Sequence, residues 1–140
     1  MSIPVALSRR PRLPLHRRLW PLFIVAISRL LARLRPSRLR WVLEHARRGA
    51  EPATAEQTGK ALRDVVAVSM RCAGQACLQR SIATALLCRS RGVWPTWCTG
   101  VRTSPFAAHA WVEAEGEMIG EPYPAGHYRP LITVPPTDNR

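Results

Sequence analysis

"CAGQACLQRSIATALLCRSRGVWPTWCTGVR", residues 72–102, is where the chain changes texture. Gly74 breaks whatever precedes it. From about Cys77 to Arg91 the spacing predicts a helix, with Leu78, Ile82 and Leu86 on one face and Gly92 as its C-terminal stop. After Gly92 the segments become strand-like: 93–102, then "AAHAWVEA" at 107–114 and "EMIGE" at 117–121. "LITV" at 131–134 suits one more short strand. Helices, then a helix that begins with cysteine, then an antiparallel sheet define an α+β layout.

Upstream the chain reads as helical. Residues 1–18 are rich in Pro and Arg and read as irregular. From Leu19, apolar residues recur at 19, 22, 23, 26, 27, 30, 31 and 34, a helical stripe expected to pack on the core. Pro21 suits its first turn and Pro36 ends it. Arg29, Arg33 and Arg35 fall off the stripe, either as a solvated face or as a surface that docks a protein, a peptide or a membrane. Ser37 is placed to cap a second helix, through Leu39, Val42, Leu43 and Ala46, that Gly49 ends. Thr54 and Gln57 have the spacing of a capping box, opening a third helix whose face is Ala61, Leu62, Val65 and Val66. These breaks divide the chain into an Arg-rich helical region, 1–50, and a core, 51–140.

Composition narrows the function classes. With 140 residues, 46% of them apolar and five tryptophans, the chain suits one folded domain. Residues 1–48 hold 12 arginines and one acid, Glu44, so nearly all of the formal charge of +12 belongs to that region. Such a region suits an acidic peptide or protein, nucleic acid or a membrane surface. The apolar run "LWPLFIVAI" has nine residues, too few to span a bilayer, and no small-residue cleavage site follows it. A cytoplasmic protein is expected, with peripheral membrane contact left open. Cys72, Cys77, Cys88 and Cys98 form no CxxC pair and match no common zinc spacing. They read as reduced thiols with no metal.

One cysteine stands apart. Cys77 opens its helix, where unpaired N–H groups and the positive end of the helix dipole favour a thiolate. His109 shares a strand face with Trp111 and Glu113, and a basic histidine needs an acidic partner. Glu113 is four residues along the same strand, roughly 13 Å away, too far to orient the ring. A three-residue loop at Ala114-Glu115-Gly116 would pair Glu113 with Glu117 and so set His109 opposite Glu121. A two-residue turn would put Glu121 opposite Ala110, on the wrong face. The constellation is Cys77 as nucleophile, His109 as base and then acid, and Glu121 holding the histidine tautomer. Its rival is a buried thiol and an ordinary hairpin histidine. By position, Gln75 is a candidate second oxyanion donor, and Arg80 and Ser81, one helical turn from Cys77, are candidate substrate contacts. Arg102, Phe106 and Trp111 are candidate cleft residues.

Two blocks carry a family resemblance. "CLQRSIATALLCRSRG" (77–92), followed by "GVRTSPFAAHAWVEAEGEMIGEP" (100–122), resembles the transglutaminase-like cysteine peptidases of lasso-peptide biosynthesis. The likeness is to the stand-alone leader peptidase found where the maturation protein is split into two chains. The resemblance implies a transglutaminase- or papain-like core, with the cysteine helix packed on the sheet that carries His109. It places the family's triad on Cys77, His109 and Glu121; in many relatives the third position is aspartate. It further implies removal of a leader from a ribosomally made precursor peptide presented by a small leader-binding partner. A separate ATP-dependent enzyme would then close the macrolactam. This step takes no cofactor and no metal.

Two other functions fit parts of the same sequence. Cys-His-acid chemistry also serves acyl transfer to an amine. A non-enzymatic basic module would bind an acidic peptide or nucleic acid through the arginine-rich helices, with binding that falls steeply in salt. The peptidase reading expects no nucleic acid.

Overall fold

A helix that is buried on nearly every side organises the molecule. The computed structural model describes residues 15–69, 76–123 and 126–137. Gln75, Cys72 and Gly74 lie outside the described residues, as do residues 1–14. In chain order the elements are α1 (Leu15–Leu31), α2 (Pro36–Ala46), β1 (Glu51–Pro52), α3 (Ala55–Val68) and α4 (Cys77–Ser90). Then follow β2 (Val93–Trp94), β3 (Thr96–Arg102), β4 (Ala107–Ala114), β5 (Glu117–Met118) and β6 (Arg129–Val134). The α+β class read from the sequence is the class adopted.

The predicted single apolar face of α4 is only part of what it buries. Gln79, Arg80, Ser81, Ile82, Ala83, Thr84, Ala85, Leu87 and Cys88 are all buried. On one side Ala83, Leu87 and Cys88 pack with Ile24 and Val25 of α1 and Ala61 and Val65 of α3. On the other, Ile82 and Ala85 meet Trp97, Val112 and Val134 of the sheet and Leu39 and Leu43 of α2. Both segments of the chain, before and after residue 50, therefore contribute to shared clusters. Polar groups on α4 are buried because each has a partner. Thr84 Oγ1 donates to Arg80 O at 2.8 Å, and Gln79 Nε2 donates to Val25 O at 3.1 Å.

The sheet is antiparallel, in the order β5-β4-β3-β6. Residue alternation gives it two buried faces. Trp97 and Val112 face α4, while Cys98, Trp111, Met118 and Tyr128 form a separate cluster. The 93–102 strand is split, because Pro95 separates β2 from β3. A two-residue parallel bridge between β1 and β2 was not foreseen.

Three helix expectations need correction or support. Most of the apolar stripe faces outward, since Leu19 is 71% exposed and Leu30 65%, and Leu22 and Phe23 are exposed too; Leu31 and Leu34 at its end pack against the core. The buried face is instead Pro21, Ile24, Val25 and Ser28. The helix is apolar on most sides, so spacing alone did not choose between them. Ser28 reads as polar but can be buried, since its Oγ donates to Ile24 O at 2.8 Å. The helix also starts at Leu15, which places Pro21 inside it rather than in its first turn. For α2 the cap is Arg35, followed by Pro36 as the first helical residue, not Ser37. The capping box of α3 forms as read: Gln57 N–H donates to Thr54 Oγ1 at 3.1 Å, and Thr54 N–H donates to Gln57 Oε1 at 2.9 Å.

Candidate active site

β5 covers only the last part of β4, pairing Glu113 with Met118 and Ala114 with Glu117. The earlier part of that strand, including His109 and Ala110, lies alongside the N-terminal end of α4. Cys77 is hydrogen-bonded there both to His109 and to the backbone of Ala110. His109 is buried, its Nε2 lies 2.9 Å from Glu121 Oε1, and its other nitrogen, Nδ1, is left for the thiol. Arg80 Nη2 stands 3.6 Å from the same carboxylate oxygen, and both side chains of that pair are almost fully buried. Cys77, His109, Glu121 and Arg80 are thus one connected group.

Glu121 reaches His109 by a route that differs from the expected one. The turn after β4 has two residues, Glu115 and Gly116, both with positive φ (53° and 78°), as in a type I′ hairpin. The ladder continues only as far as Ile119, whose N–H donates to Val112 O at 2.9 Å. In that register Glu121 would oppose Ala110, on the wrong face. Gly120 prevents this: its left-handed backbone, φ 72°, turns the chain out of the ladder and brings the Glu121 carboxylate to the imidazole. The Glu115 backbone is held by a distant contact, since its Oε1 accepts from Ala55 N–H, at the start of α3, at 2.8 Å.

The electrostatics favour an ion pair. Burial by itself would raise the Cys77 pKa. The His109 hydrogen bond, the Ala110 backbone and the positive charges of His109 and Arg80 outweigh it, and the net shift is downward. Burial would likewise lower the His109 pKa, but hydrogen bonds to Cys77 and Glu121 and their negative charges push it up to about 9. A thiolate, an imidazolium, a carboxylate and a guanidinium give zero net charge, which makes burying all four feasible. The other described cysteines are different. Burial pushes Cys88 and Cys98 up to about 12, and the Cys98 thiol donates to Glu113 Oε2 at 3.3 Å.

A pH dependence follows from these directions. Alkylation by iodoacetamide at pH 7 is expected to modify Cys77 well ahead of Cys88 and Cys98, as read by peptide mass spectrometry. Any reaction that needs the His109 proton should fail as pH rises through about 9, where that proton is lost. Equal labelling of the three thiols, or an alkaline limb near the ordinary histidine pKa, would contradict this electrostatic picture.

The remaining candidates are scattered. Ser81 is buried, its Oγ donating to Leu78 O and accepting from Trp97 Nε1 at 3.0 Å. Trp111 is buried behind His109, with ring centroids 6.0 Å apart, beside Tyr128. Arg102 Nη1 is 3.2 Å from His127 Nε2, and its guanidinium lies over Tyr128. Phe106, in the turn between β3 and β4, is 73% exposed. Arg80, read as a substrate contact, sits behind Glu121 instead. Sequence reasoning missed Gly100 and Gly120. A Cβ at Gly100 would run into the backbone carbonyl of Arg129 in β6 and come within 2.8 Å of Trp111 Cη2, so this glycine permits the close approach of β6 as well as the aromatic packing behind His109. Among the described residues no cluster of His, Cys, Asp and Glu could hold a metal ion, and no helix is long and apolar enough to cross a membrane.

A cysteine at a helix N-terminus, hydrogen-bonded to a strand histidine that a carboxylate holds, is an arrangement suited to nucleophilic thiol chemistry. Residues 22–133 match the transglutaminase-like superfamily, and the chain belongs to that family. It is a family of cysteine-protease-like enzymes, acting by peptide hydrolysis or acyl transfer. Comparison with curated proteins and with solved structures returned no match.

Proposed function

We propose that the protein is a cysteine peptidase that removes the leader from a ribosomally synthesised lasso-peptide precursor. The observation that carries the peptidase chemistry is the coupled pair: a Cys77 thiol of lowered pKa bonded to His109, which Glu121 holds at 2.9 Å. Cys77 Sγ attacks the scissile carbonyl carbon, and the oxyanion meets the Cys77 backbone N–H at the start of α4. Gln75 is the proposed second donor. His109 gives its proton to the leaving amine as the C–N bond breaks, leaving a thioester on Cys77. Water then adds to the thioester while His109 takes its proton, releasing the acid and the thiolate. No metal or cofactor takes part.

The leader specificity rests on the resemblance of residues 77–92 and 100–122 to that peptidase family. In this reading a small leader-binding protein presents the precursor, and an ATP-dependent enzyme closes the macrolactam afterwards, in the cytoplasm. The outward apolar face of α1, with Leu19, Phe23 and Leu30, is our proposed contact for that partner.

The test is mass spectrometry of the precursor incubated with this protein and the partner, without ATP. A single leader cut is expected, absent with Cys77→Ala and reduced with the double variant Leu19→Asp, Phe23→Asp. No cut by the folded wild type would end the peptidase reading. A product joined to an added amine, rather than the free acid, would favour acyl transfer.

A further inference from the structure

Two hollows meet at Cys77, and they differ in chemistry. One, of about 330 Å³, is walled by Arg29 of α1, by Ala32 and Arg33 in the turn that follows it, and by Ala76, Cys77 and Leu78. The other, of about 290 Å³, lies over the sheet and is lined by Cys77, Leu78, Val101, Ala108, His109 and Leu131. Arg29, in the last turn of α1, and Arg33, in the turn just beyond it, are both exposed, and neither is in an ion pair among the described residues. The sheet-side hollow has no arginine or lysine in its wall. A peptide laid across Cys77 therefore meets two cations on one side of its reacting carbonyl and mainly carbon surface on the other.

We propose that the α1 side of this groove is a subsite for an acidic side chain, Asp or Glu, close to the scissile bond, with an apolar residue on the other side. The inference rests on the peptidase reading and gives it a substrate class. Arg29 and Arg33 supply the carboxylate contact, and the guanidinium pair also repels a basic residue at that position. The end of α1 then has a role separate from that of Leu19, Phe23 and Leu30, which are exposed and line neither hollow. Among the described arginines of the N-terminal third, these two are the ones that line the Cys77 groove.

The experiment uses peptides that alkylate Cys77 rather than substrates. Two series carry the electrophile at opposite ends: bromoacetyl peptide amides and acetyl-peptidyl chloromethyl ketones. Each series is made with Glu, Gln or Lys near the electrophile, and Cys77 modification is followed by mass spectrometry against iodoacetamide. In one of the two series the Glu probe is expected to react about tenfold faster than the Lys probe, with Gln between them. That preference should shrink sharply in 1 M salt, where screening acts over roughly 3 Å. It should reverse in the double variant Arg29→Glu, Arg33→Glu. Because the reading is a ratio between probes, a change in thiol reactivity in the variant cancels. Equal Glu and Lys rates in both series, with fast iodoacetamide labelling, would overturn the acidic subsite and leave the thiolate standing. Slow iodoacetamide labelling of wild-type Cys77 would instead remove the peptidase reading beneath it.

Discussion

Replacing His109 with alanine is expected to lower kcat/KM for precursor cleavage by about 10³- to 10⁶-fold. The imidazole has three tasks in this geometry. It lowers the thiol pKa through a hydrogen bond and a positive charge, it protonates the leaving amine, and it takes a proton from the attacking water. With it gone, burial is left as the dominant influence on Cys77, and burial raises a thiol pKa. Iodoacetamide labelling at pH 7 should therefore slow in the same variant, which separates loss of the thiolate from loss of the proton carrier. Glu121→Gln makes a contrasting test. It leaves an oxygen to accept from Nε2 but removes the charge that helps raise His109 to about 9. The alkaline limb of the pH–rate profile should then move down toward the ordinary histidine value. A His109→Ala enzyme that keeps a tenth of its activity would rule out the proposed chemistry.

Gly120→Ala is expected to destabilise the fold by about 2–5 kcal/mol. Roughly 1–2 kcal/mol comes from placing a Cβ on left-handed backbone. About 1–3 kcal/mol more comes from overpacking, because that Cβ would run into Leu62 Cδ2. Urea unfolding measures the sum. The clash belongs to a pair, so Leu62→Ala with Gly120→Ala should be less destabilised than the two single changes added together. Activity carries the sharper reading. Gly120 turns Glu121 toward His109, so kcat/KM per folded molecule should fall even at temperatures where Gly120→Ala is fully folded. A stability change within about 0.5 kcal/mol, or unaltered kcat/KM, would show that Gly120 does not set the carboxylate.

The amino-acid order alone was enough for the α+β class, for α4 beginning at Cys77, for the capping box of α3 and for the span of β4. These features depend on short-range patterns: apolar period, cap chemistry and the dipole at a helix start. Cys77, His109 and Glu121 were legible as a group because a strand histidine needs an acid within reach, and few acids were near in sequence. The electrostatics could be read only in outline, since the lowered thiol pKa depends on Ala110 and Arg80 as well as on the helix start.

Tertiary structure decided the rest. Glu121 is the carboxylate at His109, yet the three-residue loop expected to place it does not form. Glu115 takes a left-handed backbone because its carboxylate is held at the N-terminus of α3, sixty residues away in sequence. Gly120 then bends the chain out of register against Leu62. Which face of α1 is buried was likewise settled by α3 and α4, because a helix apolar on most sides has no preferred side of its own. Local patterns fix where an element begins when its cap or breaker chemistry is strong, as for α3 at Thr54 and α4 at Cys77. Where the residues of such elements meet depends on contacts between segments far apart in the chain, and no local period records them.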